Sequence, residues 1–165
     1  MQFTAAERER ISDSLSKGLG PEFLSKRPGP SGSFTYVEGW MLIDLANKVF
    51  GFDGWNSEIK SIAIDYMDEL DGNRYNVSAS AHVRVTLKDG TFHEDVGCGS
   101  VENMRMKSAA LEKATVTDGL KRALRLFGRV LGNCLYDQAF LRANNHRGTQ
   151  KVNTMILCVC VKRHF

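Results

Sequence analysis

The chain has 165 residues, 42% hydrophobic and 25% charged, which is enough apolar material for one folded core. Its net charge of +3 excludes a general polycation, so any site for a polyanion has to come from where the cations are placed. No apolar run approaches the roughly 20 residues needed to cross a bilayer. The opening MQFTAAERER is charged from its first turn and predicts no secretory signal; the four cysteines show no C-x-x-C spacing and are expected as reduced thiols in a nuclear or cytosolic compartment.

In chain order, Thr4 is placed to cap a first helix, with Glu7 three residues on as its capping-box partner and Ile11 and Leu15 as its apolar side. Residues 20–33 hold all three prolines, together with Gly29 and Gly32, and read as a loop carrying Lys26 and Arg27. Helical spacing returns over 37–50 through Met41, Leu42, Leu45, Ala46, Val49 and Phe50. Strands follow at 55–68, 74–87 and 91–98, joined by Asp71-Gly72 and Asp89-Gly90 turns, and the middle strand alternates cleanly from Tyr75 to Leu87. Gly97-Cys98-Gly99 reads as a tight turn. A long helical region over about 101–131 and a short helix over 137–144 complete an α+β pattern, an antiparallel meander packed on a long helix. Residues 151–165, with the apolar run MILCVCV, read either as a strand or as an added tail.

The most informative stretch is VTDGLKRALRLFGRVLG, residues 116–132. Leu120, Leu124, Phe127 and Leu131 recur at steps of four, three and four, the apolar stripe of an amphipathic helix. Lys121, Arg125 and Arg129 recur at steps of four with Arg122 beside them, which puts the cations on another face. Asp118 suits the positive end of the helix dipole, and Gly128 and Gly132 mark the end. A solvated helix face usually interleaves acids with bases. Here Glu112 and Asp118 are the only acids between Met104 and Arg129, against Arg105, Lys107, Lys113, Lys121, Arg122, Arg125 and Arg129. Like charges left unpaired become favourable when a polyanion lies across them, although a plain surface helix carries the same spacing. Phe34 and Tyr36 offer aromatic faces suited to unstacked bases. Few Asn or Gln side chains stand among the cations, which points to backbone binding without sequence reading.

Other chemistry is weakly indicated. There is no G-x-x-x-x-G-K-[ST] loop, so ATP hydrolysis is not expected. Asp65, Asp68, Glu69, Asp71, Glu94 and Asp95 are acidic as turns and strands often are, and Cys158, Cys160 and His164 form only a lone C-x-C; no metal and no other cofactor is expected. His82 and His93 have no evident Ser or Cys partner.

Four segments carry a specific resemblance: GLGPEFLSKR, YVEGWMLIDLANKVFGFDGW, HVRVTLKDGTFHEDVGCGSVEN and VTDGLKRALRLFGRVLGNCLYD. In colinear order, over about 3–141, the chain resembles the Rad52 family of recombination mediators. The resemblance implies a β-β-β-α core that assembles into a homo-oligomeric ring. Single-stranded DNA is then expected in a basic inner groove of Arg27, Tyr36, Lys121, Arg122 and Arg125. A second, outer DNA site would use Arg74, Arg105 and Arg142, with Gln138 standing where a cation is common. It further implies a nuclear protein of homologous recombination and double-strand break repair, not an enzyme, that anneals complementary strands without ATP. The partners implied are single-stranded DNA, duplex DNA at the outer site, and other copies of the chain.

Two departures from the family pattern are visible. About three residues are missing between Lys113 and Val116, which either breaks the helix or rotates Arg105 and Lys107 by about 300° relative to the C-terminal part of the helix. Residues 151–165 do not resemble the family's C-terminal half, which carries contacts to the recombinase and to the replication single-strand-binding protein. Residues 1–145 are thus expected to be the annealing domain and 146–165 a tail outside the family, as in a truncated or differently spliced product. A second reading is a structural subunit that co-assembles with full-length relatives without annealing by itself.

Overall fold

The computed structural model describes residues 2–29, 32–104 and 109–145. Arg105 and Lys107, the MILCVCV run, and Cys158, Cys160 and His164 lie outside the described residues.

Helix α1 (Ala5–Ser16) begins with the expected capping box: the Glu7 amide donates to Thr4 Oγ1 at 3.3 Å, and the Thr4 amide donates to Glu7 Oε2 at 2.6 Å. Glu7 also meets Lys88 Nζ at 3.0 Å, and Arg8 meets Asp89 at 3.3 Å, so α1 is fastened to a turn of the main sheet. The Thr4 amide first, then Lys88, pulls the Glu7 carboxyl down to about 2.

The segment read as a loop is a hairpin. After a 3₁₀ turn at Pro21–Phe23, β1 (Ser25–Gly29) pairs antiparallel with β2 (Gly32–Tyr36). Among the described residues neither strand buries a face, so the alternation that betrays a half-buried strand does not arise, and Pro28 is tolerated because the ladder is only two strands wide. Helix α2 (Gly39–Phe50) then buries Leu42, Leu45, Ala46, Val49 and Phe50, as its spacing predicts.

The main sheet has the order β3-β4-β5, all antiparallel, from β3 (Trp55–Leu70), β4 (Arg74–Leu87) and β5 (Phe92–Met104). On β4, every second residue from Val77 to Leu87 is buried. Strand β5 runs straight through Gly97-Cys98-Gly99 instead of turning there. Gly97 and Gly99 stand opposite Ala81 and Ala79, beneath the helix that follows. A Cβ on Gly97 would collide with the Gly119 amide and the Thr115 carbonyl, and one on Gly119 would lie 2.7 Å from Val83 Cγ2. These glycines allow a helix to sit close to a sheet; they do not bend the strand.

That helix is α3 (Ala109–Arg125). It is continuous through residues 113–116, so the shortened segment does not break it. It is shorter than the sequence suggests at both ends. Residues 101–104 belong to β5, and past Arg125 the chain tightens into i→i+3 bonds, Phe127 to Leu124 at 3.1 Å and Gly128 to Arg125 at 3.2 Å. Gly128 lies against α1, where a Cβ would be 2.7 Å from the Leu15 carbonyl oxygen. The 3₁₀ turns Arg129–Leu131 and Asn133–Tyr136, separated by Gly132 at φ +105°, lead into α4 (Gln138–Asn145). The apolar stripe survives this change of geometry: Leu124 and Leu131 are fully buried, and Leu120 and Phe127 pack on the same core.

Helix α3 covers β4 and β5 and barely reaches β3. On β3, Ile59, Ile62, Ile64 and Met67 each pair with a buried β4 residue, yet they stay 42–60% exposed. Among the described residues, no helix is long and apolar enough to cross a membrane.

Candidate nucleic-acid interface

The hairpin and the end of α3 converge on one tyrosine. Arg27 pairs directly with Phe34 across the hairpin, and Tyr36 lies two residues further along, so the three share one face. The Arg27 guanidinium carbon lies 5.7 Å from the centre of the Tyr36 ring, and Lys121 Nζ, in the last turns of α3, lies 5.6 Å from it. The Tyr36 hydroxyl donates to Glu38 Oε1 at 2.9 Å; that bond, then burial, pushes its pKa up. Burial pulls the Lys121 ammonium down and Arg27 adds to this, while Asp118 and Glu38 act in the opposite sense.

The remaining cations of the helix are not bare. Asp95 stands opposite Val83 on β5, which places it on the side of the sheet that α3 covers. Its two oxygens accept from Arg122 Nε at 3.4 Å and Arg125 Nη2 at 3.2 Å. Burial acts to raise the Asp95 carboxyl, but the Val96 amide and the two guanidiniums outweigh it and hold it below its ordinary value. Arg122 is likewise pushed up by Asp95 against the effect of burial. The expectation of an unpaired cationic face is therefore corrected: the missing acid comes from a strand some thirty residues away and was invisible to a count within the helix. The row of four cations is also corrected. Arg129 lies past the helix, on a 3₁₀ turn, and pairs with Asp137 at 3.0 Å.

Arg125 has an aromatic partner that sequence reasoning missed. Its guanidinium carbon lies 4.5 Å from the centre of the Tyr136 ring, and Tyr136 is 64% exposed. Tyr136 sits in a short 3₁₀ segment of mixed residues, with no periodicity to flag it. Lys121, Arg122 and Arg125 are neighbours at steps of three and four on α3, so the two tyrosines, five cations counting Arg129, and Asp95 form one continuous surface.

Of the three residues expected at an outer site, Arg74 and Arg142 are described, and they lie on different elements. Arg74 opens β4 and donates to Asn103 Oδ1 at 2.9 Å, at the end of the sheet where Leu111 packs on Val77 and Ala79. Arg142 lies exposed on α4, past the other end of α3, and Arg105 is outside the described residues. A strand as long as β4 spans roughly 40 Å.

These features define an α+β protein with a cation–aromatic cluster where a two-stranded hairpin meets the end of its long helix. The chain belongs to the Rad52/22 family of double-strand break repair proteins, whose family model matches residues 7–153. It is 51% identical over 145 residues to the DNA repair and recombination protein rti1 of Schizosaccharomyces pombe, covering 86% of this chain and 39% of that protein. Over 135 residues it is 56% identical to the DNA repair and recombination protein RAD52 of Eremothecium gossypii, covering 79% and 31%. Over 137 residues it is 53% identical to RAD52 of Saccharomyces cerevisiae, covering 81% and 29%. The chain thus spans about a third of the length of the curated relatives it matches.

Proposed function

We propose that this chain binds single-stranded DNA on the cluster formed by Arg27, Tyr36, Lys121, Arg122 and Arg125, as part of a homo-oligomeric ring. Within residues 1–145 it acts as an annealing domain in homologous recombination and double-strand break repair in the nucleus. The observation that carries this reading is the meeting of Arg27 and Lys121 at Tyr36, which brings cations from two distant segments to one aromatic ring. Guanidinium and ammonium groups along such a path suit phosphates and read no base, so little sequence preference is expected.

Annealing on this surface is not an enzymatic reaction. A strand held by its phosphates keeps its pairing edges available to a complement. Duplex formation supplies the free energy, so neither ATP nor a metal is used. The uncovered apolar row Ile59, Ile62, Ile64 and Met67 supports self-association, because burying it against another copy removes apolar area from water. Arg74, Arg105 and Arg142 would form an outer DNA site across neighbouring copies in such a ring.

The test is a pair of titrations with the purified chain: binding of one labelled strand at several salt concentrations, then annealing to its complement with EDTA present and no nucleotide. The expected result is affinity that falls steeply with salt and annealing that persists in EDTA. Affinity that does not change with salt rejects the cluster as the site; binding without annealing leaves a co-assembly subunit.

A further inference from the structure

The geometry points to Tyr136 as a stacking platform for one unpaired nucleobase beside the phosphate path, an inference that rests on Arg125 lying on the DNA-binding surface. The two tyrosines of this surface are built differently. Tyr36 is half-buried, has two cations over its ring, and has its hydroxyl engaged by Glu38. Its ring already has two cations within 6 Å of its centre. Tyr136 is 64% exposed, with the Arg125 guanidinium against its ring at 4.5 Å. No hydrogen bond to its hydroxyl is formed among the described residues. What it offers to a ligand is the open part of an aromatic ring.

The mount beneath that ring is rigid. Cys134 is fully buried two residues before it, and Leu135 packs on the core. Asp137, directly after it, is held by Arg129 at 3.0 Å and accepts from the amides of Ala139 and Phe140 at 2.9 and 3.3 Å, which caps α4. The turn closes through the Asp137 amide to the Cys134 carbonyl at 3.1 Å. An exposed aromatic whose backbone is fixed on both sides loses little freedom on contact, so stacking on it is cheap in entropy. Arg125 meanwhile keeps guanidinium hydrogens beyond the one given to Asp95, so a phosphate on Arg125 and a base on Tyr136 can belong to adjacent positions of one strand. A stacked duplex has no free base to give, so this contact also favours single strands.

The experiment compares oligo-dT with an abasic deoxyribose-phosphate chain of the same length, on the parent chain and on Tyr136→Ala and Tyr136→Phe. Tyr136→Ala is expected to weaken oligo-dT binding by roughly 5- to 150-fold and to leave the abasic chain unaffected. The slope of log affinity against log salt should stay parental, because stacking releases no counterions. Tyr136→Phe should match the parent, since it keeps the ring. An equal loss on both ligands means that Tyr136 acts only through Arg125 and overturns the platform, as does no loss on either. A Phe variant as weak as the Ala variant overturns it too, by assigning the effect to the hydroxyl. If the parent binds neither ligand in a salt-dependent way, the basic cluster itself is rejected as the site, and the platform with it.

Discussion

Helix α3 meets two different surroundings along its length. Through Leu111, Thr115 and Gly119 it rests on Ala79, Ala81, Gly97 and Gly99 so closely that one added carbon at Gly97 meets backbone. In its last turns, Lys121, Arg122 and Arg125 look instead toward Tyr36, Asp95 and Tyr136, in contacts of 3 to 6 Å between charged and aromatic groups. The first half is defined by what it excludes, and the second by partners that a phosphate or a base can compete with. The lesson is that seating and binding are separable on this helix, and substitutions should fall into two classes.

The largest effect is expected where the packed side continues through Leu124. Leu124→Ala should lower stability by roughly 2–5 kcal/mol, read from chemical denaturation, because the side chain is fully buried and leaves a cavity. Gly97→Ala should cost about 1–3 kcal/mol by overpacking, since the atoms it meets are backbone and cannot rotate away. Equal stability in this variant would mean that α3 has room to lift from the sheet. Both variants test the packed side of the helix and should change DNA affinity only as far as they unfold the chain.

Asp95→Asn sits on the boundary of the two halves and sharpens the comparison through pH. The Asp95 carboxyl is held below its ordinary 3.8 in the folded chain. Its ion pairs therefore contribute stability that is fully present above that value and is lost as the pH falls through the lower, folded one. The parent should show a steeper loss of thermal stability below pH 4 than Asp95→Asn does. Parallel curves would show that Asp95 gains nothing from Arg122 and Arg125. The smallest effect on stability is expected for Lys121→Ala, within about ±0.5 kcal/mol. The same variant should weaken strand binding by about 1.5–3 kcal/mol, the range for a charge-assisted contact.

Much of this was legible in the residues, for identifiable reasons. The capping box of α1, the buried side of α2 and the bounds of β4 follow from local periodicity and caps that the tertiary structure reinforces. The apolar stripe from Leu120 to Leu131 was also legible, because burial depends on direction from the core and not on whether the last turn is α or 3₁₀. The β1–β2 hairpin was hidden because, among the described residues, neither of its faces is buried. Gly97-Cys98-Gly99 was misread because a glycine needed for close approach looks the same, in one dimension, as a glycine needed to turn. In the cluster, the resemblance named Arg27 and Tyr36, and the structure places both beside Lys121. Asp95 and Tyr136 could not be found that way, since their roles arise from contacts across the fold to Arg122 and Arg125, which no spacing encodes.

The most direct test of the cluster is the affinity of Arg27→Ala for a single labelled strand, measured beside the parent over a range of salt, with the oligomeric mass of both recorded. Arg27 is exposed on a hairpin that contributes little to the core, so the variant should assemble as the parent does. A DNA path through Arg27 predicts weaker binding by about 1.5–3 kcal/mol and a shallower salt dependence, since one phosphate contact is gone. An Arg27→Ala chain that assembles normally and binds the strand as tightly as the parent would contradict it.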